Sequence, residues 1–366
     1  MKRQESFRSS SAVNKNQEEI NWDLFDRCIL PVVFSHGAAI VLAFVLNLLR
    51  ISQVSSFTLF ILFLILSVGT TIFYHNLKVT AAGKAILVTG CETKVSSILA
   101  RQLDDLGFTV FAGFSDLSEG SQTLKDESSG RLKVLQLNPT SEKQLQDAYQ
   151  FIKNNLPENA SGLWALVNNN CWAAFGEVEW VPLQVYERAA NYNLFGTIRA
   201  TQIFLPLLRK TQGRIINVSS LAGKVASPAR SPFCSMKFAL EAFSECLRLE
   251  LKRWAVDVVV VEPGQFTTGT WFEDKQILQQ AKTMWQEMSE EAKVDYGEDY
   301  FEYKVRTLPE YRAAKEPDLT PTIRSLVDSV TRSFPMARYT PVTKQEKIQA
   351  FVAEHLPRSV YDIIYS

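Results

Sequence analysis

Residues 84–113 read KAILVTGCETKVSSILARQLDDLGFTVFAG, and this stretch decides the fold. A short apolar run, Ala85–Thr89, stops at Gly90. A helix-period stretch follows through Leu106, and a second apolar run occupies Phe108–Gly113. Neither run alternates polar with apolar residues, as a strand with one wet face would. A continuous run of Ile, Leu, Val and Phe bounded by glycine predicts a strand buried on both faces. Strand, glycine turn, helix, strand is the unit of a parallel sheet.

The unit recurs along the chain. Further strands are predicted at Arg131–Leu137, Leu163–Asn168, Arg214–Val218 and Val256–Val261. Helix-period segments at 141–155, 182–210 and 232–253 separate most of them. Right-handed crossovers then give an α/β fold, a doubly wound parallel sheet of Rossmann type. The segment 268–312 predicts an amphipathic helical region rich in aromatics, among them Trp271, Phe272, Trp285, Tyr296, Tyr300 and Phe301. Two roles are open to it: a cover over a lipophilic ligand, or a lid packed on its own core.

Upstream the chain changes character. Its 366 residues carry 39 Lys+Arg and 39 Asp+Glu, with 46% hydrophobic and 21% charged residues. That balance excludes a disordered chain, a collagen-like repeat and a strongly basic nucleic-acid binder. The charge is unevenly placed, however: within 29–74 the only formal charge is Arg50. Two apolar stretches, Ile29–Leu49 and Val54–Tyr74, are each 21 residues long. At 1.5 Å per residue each covers roughly 30 Å, the thickness of a bilayer core. They predict a two-helix membrane anchor turning at Arg50–Gln53, after a polar leader over 1–28. A pair of buried core helices, or one long anchor, is the competing reading. Lys15, Arg27, Lys78 and Lys84 flank the outer ends, which by the positive-inside rule puts the main domain on the cytosolic side. That corresponds to an endoplasmic reticulum membrane protein with two spans, a mitochondrial membrane being the alternative.

Several short motifs occur together in the globular part: Val88-Thr89-Gly90, Val167-Asn168-Asn169, Asn193 in NYNLFG, Ser220 in IINVSSLAG, Lys237, and Pro263-Gly264. In order and spacing they resemble the short-chain dehydrogenase/reductase family. Within it the chain is similar to the branch of membrane-bound 17β-hydroxysteroid, retinol and D-3-hydroxybutyrate dehydrogenases. The resemblance spans most of 84–366, a main domain over 84–342 and a helical extension over 343–366. It implies hydride transfer between NAD or NADP and a lipophilic alcohol or ketone. It also implies a homodimer formed through the 182–210 and 232–253 helices.

For the site, the resemblance places Asn193, Ser220 and Lys237 on catalytic positions. The fourth, a tyrosine 13 residues after the serine and four before the lysine, is Phe233 here. Phenylalanine has no hydroxyl, so the expected proton donor is missing; Tyr192 beside Asn193 is the nearest substitute in sequence. The ring itself fits simple packing on a helix face shared with Phe238, Ala242 and Cys246. For the cofactor the resemblance points to Thr89, Gly90, Lys94, Ser96, Asn138, Asn168, Asn169, Lys237, Pro263, Gly264 and Thr268. Three of these sites depart from the family pattern. Lys94 and Ser96 replace the second and third glycines of the nucleotide loop, Glu92 adds a negative charge there, and Asn138 replaces an aspartate. In addition Asn170-Cys171 replaces Ala-Gly, and Phe114 replaces the acidic residue that would bind an NAD ribose. These departures leave a second reading open, a catalytically impaired relative that binds a lipid or a partner protein. The five cysteines (28, 91, 171, 234 and 246) and three histidines show no metal-ligand spacing. Cys91 and Cys171 fall in the expected cofactor cleft, where small buried thiols are weighed against a redox role.

Overall fold

The computed structural model describes residues 22–264, 274–307 and 318–365. The chain divides into two compact units, residues 1–79 with 332–335, and residues 80–331 with 336–366.

In the first unit, helix α1 spans Trp22–Leu48 and α2 spans Ser56–Asn76. Helix α1 begins seven residues before the expected apolar span and carries Pro31 in its interior. The apolar segments Cys28–Leu48 and Ser56–Asn76 have mean hydropathies of 2.3 and 2.2 and are long enough to cross a membrane. Only 17% and 0% of them is buried within the protein, which is not how a core helix sits. Three hydroxyls of the hairpin, Ser35, Ser67 and Thr71, are satisfied internally, as a lipid environment requires. The Ser35 hydroxyl lies 2.7 Å from the Pro31 carbonyl and 3.0 Å from the Ser67 hydroxyl. His36 packs edge-on against the Phe60 ring.

The second unit is the expected α/β layer structure. Its strands are β1 (Ala85–Val88), β2 (Thr109–Phe114), β3 (Leu132–Gln136), β4 (Ala165–Asn168), β5 (Arg214–Val218), β6 (Asp257–Val261) and β7 (Arg338–Tyr339). They lie in the order β3-β2-β1-β4-β5-β6-β7, and each adjacent pair is parallel. The order reverses between β1 and β4, the switch point at which an open α/β sheet leaves a crevice beyond its strand ends. β1, β4 and β5 are buried along their whole length, the polar Asn168, Arg214 and Asn217 included. The two-residue β7 is too short to leave a pattern in the sequence.

Helices α3 (Lys94–Asp105), α4 (Glu119–Asp126) and α5 (Glu142–Asn154) follow the first three strands. The expected helix over 182–210 is three pieces: α6 (Leu183–Ala189), a π-helical turn over Ala190–Phe195, and α7 (Gly196–Thr211). Helix α8 spans Ser231–Leu251. One side of the sheet packs Phe111, Leu137, Leu145, Ile152, Phe204 and Leu207 into a continuous core. Between strands and helices a polar chain is also buried: Asn168 donates to Asn217 (2.9 Å), which donates to Ser244 of α8 (2.9 Å).

The aromatic segment resolves into α9 (Asp274–Glu287), α10 (Glu290–Tyr296) and α11 (Glu298–Thr307). Its described aromatics gather on Trp180: Tyr296, Tyr300 and Phe301 lie 5.4, 6.1 and 5.0 Å from that ring, and Trp285 packs at a tilt on Phe301 at 4.8 Å. Of the two roles open to this segment, the described rings perform the packing one. Trp271 and Phe272 lie outside the described residues. Helix α12 (Thr320–Thr331) and the C-terminal helices α13 (Lys344–His355) and α14 (Arg358–Tyr365) complete the unit.

Candidate active site

The crevice at the switch point begins with the β1 turn. Gly90 has φ +69°, and a Cβ there would meet the Asn169 carbonyl oxygen at 2.6 Å. Only glycine accepts both constraints, which accounts for the one loop glycine that this chain retains. The Thr89 hydroxyl donates to the Val167 carbonyl and accepts from the Asn169 amide (3.2 and 3.1 Å), tying the β1 end to the β4 end.

The two substituted glycine positions behave differently from each other. Ser96 is fully buried beneath the turn, where its hydroxyl donates to the Thr89 carbonyl (3.2 Å) and accepts from Asn169 Nδ2 (2.6 Å). It is thus part of the scaffold that joins α3 to the strands. Lys94 stands at the first position of α3 and is exposed, so its cation faces the solvent side of the turn. Glu92 is exposed too and accepts a hydrogen bond from Ser115 (2.9 Å).

At the ends of β2 and β3, Phe114 is buried, Asp116 is exposed, and Asn138 accepts from the Thr140 amide and hydroxyl (2.9 and 2.7 Å). Thr268 lies outside the described residues.

The second half of the crevice lies beyond β5. Ser220 follows that strand; its hydroxyl accepts from the Ala222 amide (3.2 Å) and lies 3.5 Å from the Pro263 carbonyl. Lys237, on α8, is 2% exposed and donates to the Val218 carbonyl at 3.0 Å. One helical turn earlier, the Phe233 ring centroid is 5.6 Å from the Lys237 ammonium and 6.4 Å from the Phe175 ring. The face expected to pack Phe233 is corrected here: Phe238, Ala242 and Cys246 are exposed. The buried face of α8 is Cys234, Lys237, Leu240, Ser244, Leu247 and Leu251. Phe233 lies at the edge of that face, half-buried between Phe175 and Lys237.

Asn193 sits in the π-helical turn with its amide held twice by the Trp172 backbone, at 2.7 Å in each direction. That clamp fixes the 170–172 segment over the end of β4. There Cys171 lies close enough to Lys237 for the ammonium to favour its thiolate, but burial dominates and pushes the thiol up. Burial likewise raises the Cys91 thiol well above its ordinary value, with the Glu92 charge adding to the effect. Both shifts disfavour the thiolate, the reactive form of a cysteine. Tyr192 makes no hydrogen bond among the described residues; the tyrosine hydroxyl that does reach the start of α8 is Tyr186, 2.6 Å from Ser231.

Glu346 was not legible as part of this region. Its carboxylate, 7% exposed, packs on Gly264, where a Cβ would lie 2.6 Å from the carboxyl carbon. The sequence did not show that the C-terminal extension approaches this glycine.

Residues 84–277 match the family model for short chain dehydrogenases. The chain belongs to the short-chain dehydrogenase family. It is 38% identical to the rat mitochondrial D-beta-hydroxybutyrate dehydrogenase over 296 residues, covering 80% of this chain and 86% of that protein. It is 34% identical to mouse estradiol 17-beta-dehydrogenase 2, covering 77% and 74% of the two chains. A Streptomyces avermitilis short-chain dehydrogenase of known structure shares the fold, with TM-score 0.58, 22% identity, and coverage of 77% of this chain and 96% of that one.

Membership of this family implies NAD(P) use in general, and the crevice offers a test of fit. The positive-φ turn at Gly90 is intact, the exposed Lys94 places a cation beside it, and the Asn170 amide is buried with neither polar atom paired. These features accommodate an anionic, hydroxyl-rich ligand. Against the fit stand the Glu92 carboxylate exposed at the same turn and the buried Phe114 at the end of β2, and Phe233 supplies no proton donor.

Proposed function

We propose that this chain is a membrane-anchored oxidoreductase that binds NAD(P) and a lipophilic alcohol or ketone, and that it turns over slowly because its proton donor is missing. The observation that carries the reading is the grouping of Ser220, Lys237 and Asn193 around the crevice with Phe233 5.6 Å from Lys237. The dinucleotide, when bound, supplies or accepts the hydride. Ser220 offers a half-buried hydroxyl to the substrate oxygen, and Lys237 holds a buried cation next to it. Asn193 keeps the wall of the crevice in place through Trp172. No side chain at position 233 delivers or removes the proton, so water must, at a cost of about 10²–10⁴ in rate relative to a positioned acid.

The names of the relatives, a hydroxybutyrate and an estradiol dehydrogenase, support a secondary alcohol or ketone as substrate, and of the two only estradiol is lipophilic. The lipophilic class is supported also by two helices with the length and hydropathy of membrane spans, which keep the catalytic unit where lipophilic compounds concentrate. The anchor fits an endoplasmic reticulum or mitochondrial membrane with the main domain facing the cytosol. Exposed Phe195, Phe238 and Leu249 on the 182–210 and 232–253 segments suit a homodimer face.

The deciding measurement is a fluorescence titration of the detergent-solubilised full chain with NADH and NADPH. Saturable binding of either in the micromolar range is expected. Absence of both would leave the second reading, favoured by Phe233: a catalytically impaired relative that binds a lipid or a partner protein.

A further inference from the structure

Asn170 stands where the family has a small apolar residue, and nothing in its surroundings satisfies it. The side chain is 5% exposed, and neither Nδ2 nor Oδ1 has a hydrogen-bond partner among the described residues. A buried amide without partners is costly, and such groups are rare in folded proteins unless water, an ion or a ligand completes them. Among the described residues the two preceding asparagines are each at least partly paired, Asn168 leaving only its Oδ1 without a partner. Asn168 donates to Asn217, and Asn169 donates to Ser96 and Thr93.

The location narrows the ligand. Asn170 lies two residues beyond the end of β4, at the switch point of the sheet. On one side its backbone nitrogen lies 3.3 Å from the Cβ position of Gly90, the turn that admits an anion. On the other, the adjoining Cys171 lies within the electrostatic reach of Lys237. The amide therefore sits between the phosphate end of the crevice and its lysine. The part of a dinucleotide that bridges those two points consists of pyrophosphate and ribose. A carboxamide presents one acceptor and two donors in a plane, which matches a vicinal diol, a group that both donates and accepts.

Resting on the NAD(P)-binding reading above, we propose that Asn170 is a cofactor-binding residue particular to this chain, whose side-chain amide hydrogen-bonds the ribose hydroxyls of the dinucleotide and compensates for the loop glycines lost at positions 94 and 96. An amide left unsatisfied in the free protein is completed on binding, so its contribution belongs entirely to the complex.

The test compares the full chain with its Asn170→Ala and Asn170→Ser variants. Binding of NADH and of ADP-ribose is followed by titration, and thermal midpoints are measured with and without ligand. Both variants should bind each ligand about 10- to 100-fold more weakly, the equivalent of one to two lost hydrogen bonds. Their ligand-free midpoints should equal or exceed that of the parent chain, because an unpaired buried amide has been removed. Unchanged affinity in variants that retain the parent midpoint would show that Asn170 is a water-satisfied scaffold group and overturn the proposal, while leaving NAD(P) binding intact. A large fall in the ligand-free midpoint would also overturn it, since it would show that the amide is already paired in the free protein. If the parent chain binds neither ligand, the NAD(P) reading and this assignment fall together.

Discussion

At position 233 the difference between phenylalanine and tyrosine is one oxygen atom on an otherwise assembled site. The ring already lies beside Lys237, whose ammonium would depress the pKa of a phenol placed there and stabilise its anion. Phe233→Tyr should therefore raise NAD(P)-dependent turnover by about 10²–10⁴ on a substrate that the chain accepts, with little change in KM. Steady-state assays of the purified pair measure this, and equal rates would mean that the remaining groups are not arranged for hydride transfer. The cysteines give a second test. Burial disfavours the thiolates of Cys91 and Cys171, whereas Cys246 is exposed on α8. Iodoacetamide at neutral pH should modify Cys246 and leave Cys91 and Cys171 unreacted until the protein unfolds, as read by peptide mass spectrometry. The missing hydroxyl at 233 was legible from the sequence through the family resemblance, which sets the spacing from Ser220 to Lys237. The packing of the ring was not, because a helical face read from sequence does not say which of two adjacent stripes meets the sheet.

Among the elements, the aromatic segment shows what periodicity leaves undecided. Its helices attach to the loop before α6 through Trp180 and through two carboxylates: Tyr296 donates to Glu179 (3.1 Å) and Tyr300 to Glu177 (2.9 Å). The bond to Glu179, followed by lesser effects of burial and nearby charge, raises the Tyr296 hydroxyl above its ordinary pKa of 10.0. A phenol raised in the folded state stabilises the attachment below pH 10, and that contribution is lost as the pH rises through the folded value. Glu179→Gln should bring the Tyr296 titration back toward its ordinary value, as followed by NMR of labelled tyrosine. An unaltered titration would mean that the bond does not persist in solution. At the C-terminal end, Thr343 caps α13, with Glu346 closing the capping box while its carboxylate packs on Gly264. Thr343→Ala should cost about 1 kcal/mol of stability in denaturant unfolding. The strands were legible because burial on both faces writes a continuous apolar run. The π-helical break that positions Asn193 was not, since its residues continue the pattern of an ordinary helix.

For the whole molecule, neutrality of net charge conceals two environments. The α1–α2 hairpin displays Leu30, Phe34, Leu62 and Leu66 at its surface, each more than half exposed, an arrangement that water opposes and lipid accepts. The expressed chain should remain in the membrane pellet through alkaline carbonate washing and enter solution only with detergent. Release by carbonate would reduce the hairpin to a peripheral attachment. The second unit follows the ordinary rules of an aqueous α/β protein, with its apolar strands inside and its crevice at the point where strand order reverses.

The sequence by itself determined the parallel α/β class, the hairpin and its approximate limits, and the absence of a hydroxyl at position 233. Each of these is local: a run of residue types, a length, or a spacing along one helix. Tertiary structure alone decided the rest. It set Ser96 as scaffold and Lys94 as an exposed cation, placed Glu346 against Gly264, turned the aromatic segment onto Trp180, and left the Asn170 amide buried without a partner among the described residues. These are relations between residues far apart in the chain, fixed by which surfaces meet when the sheet closes.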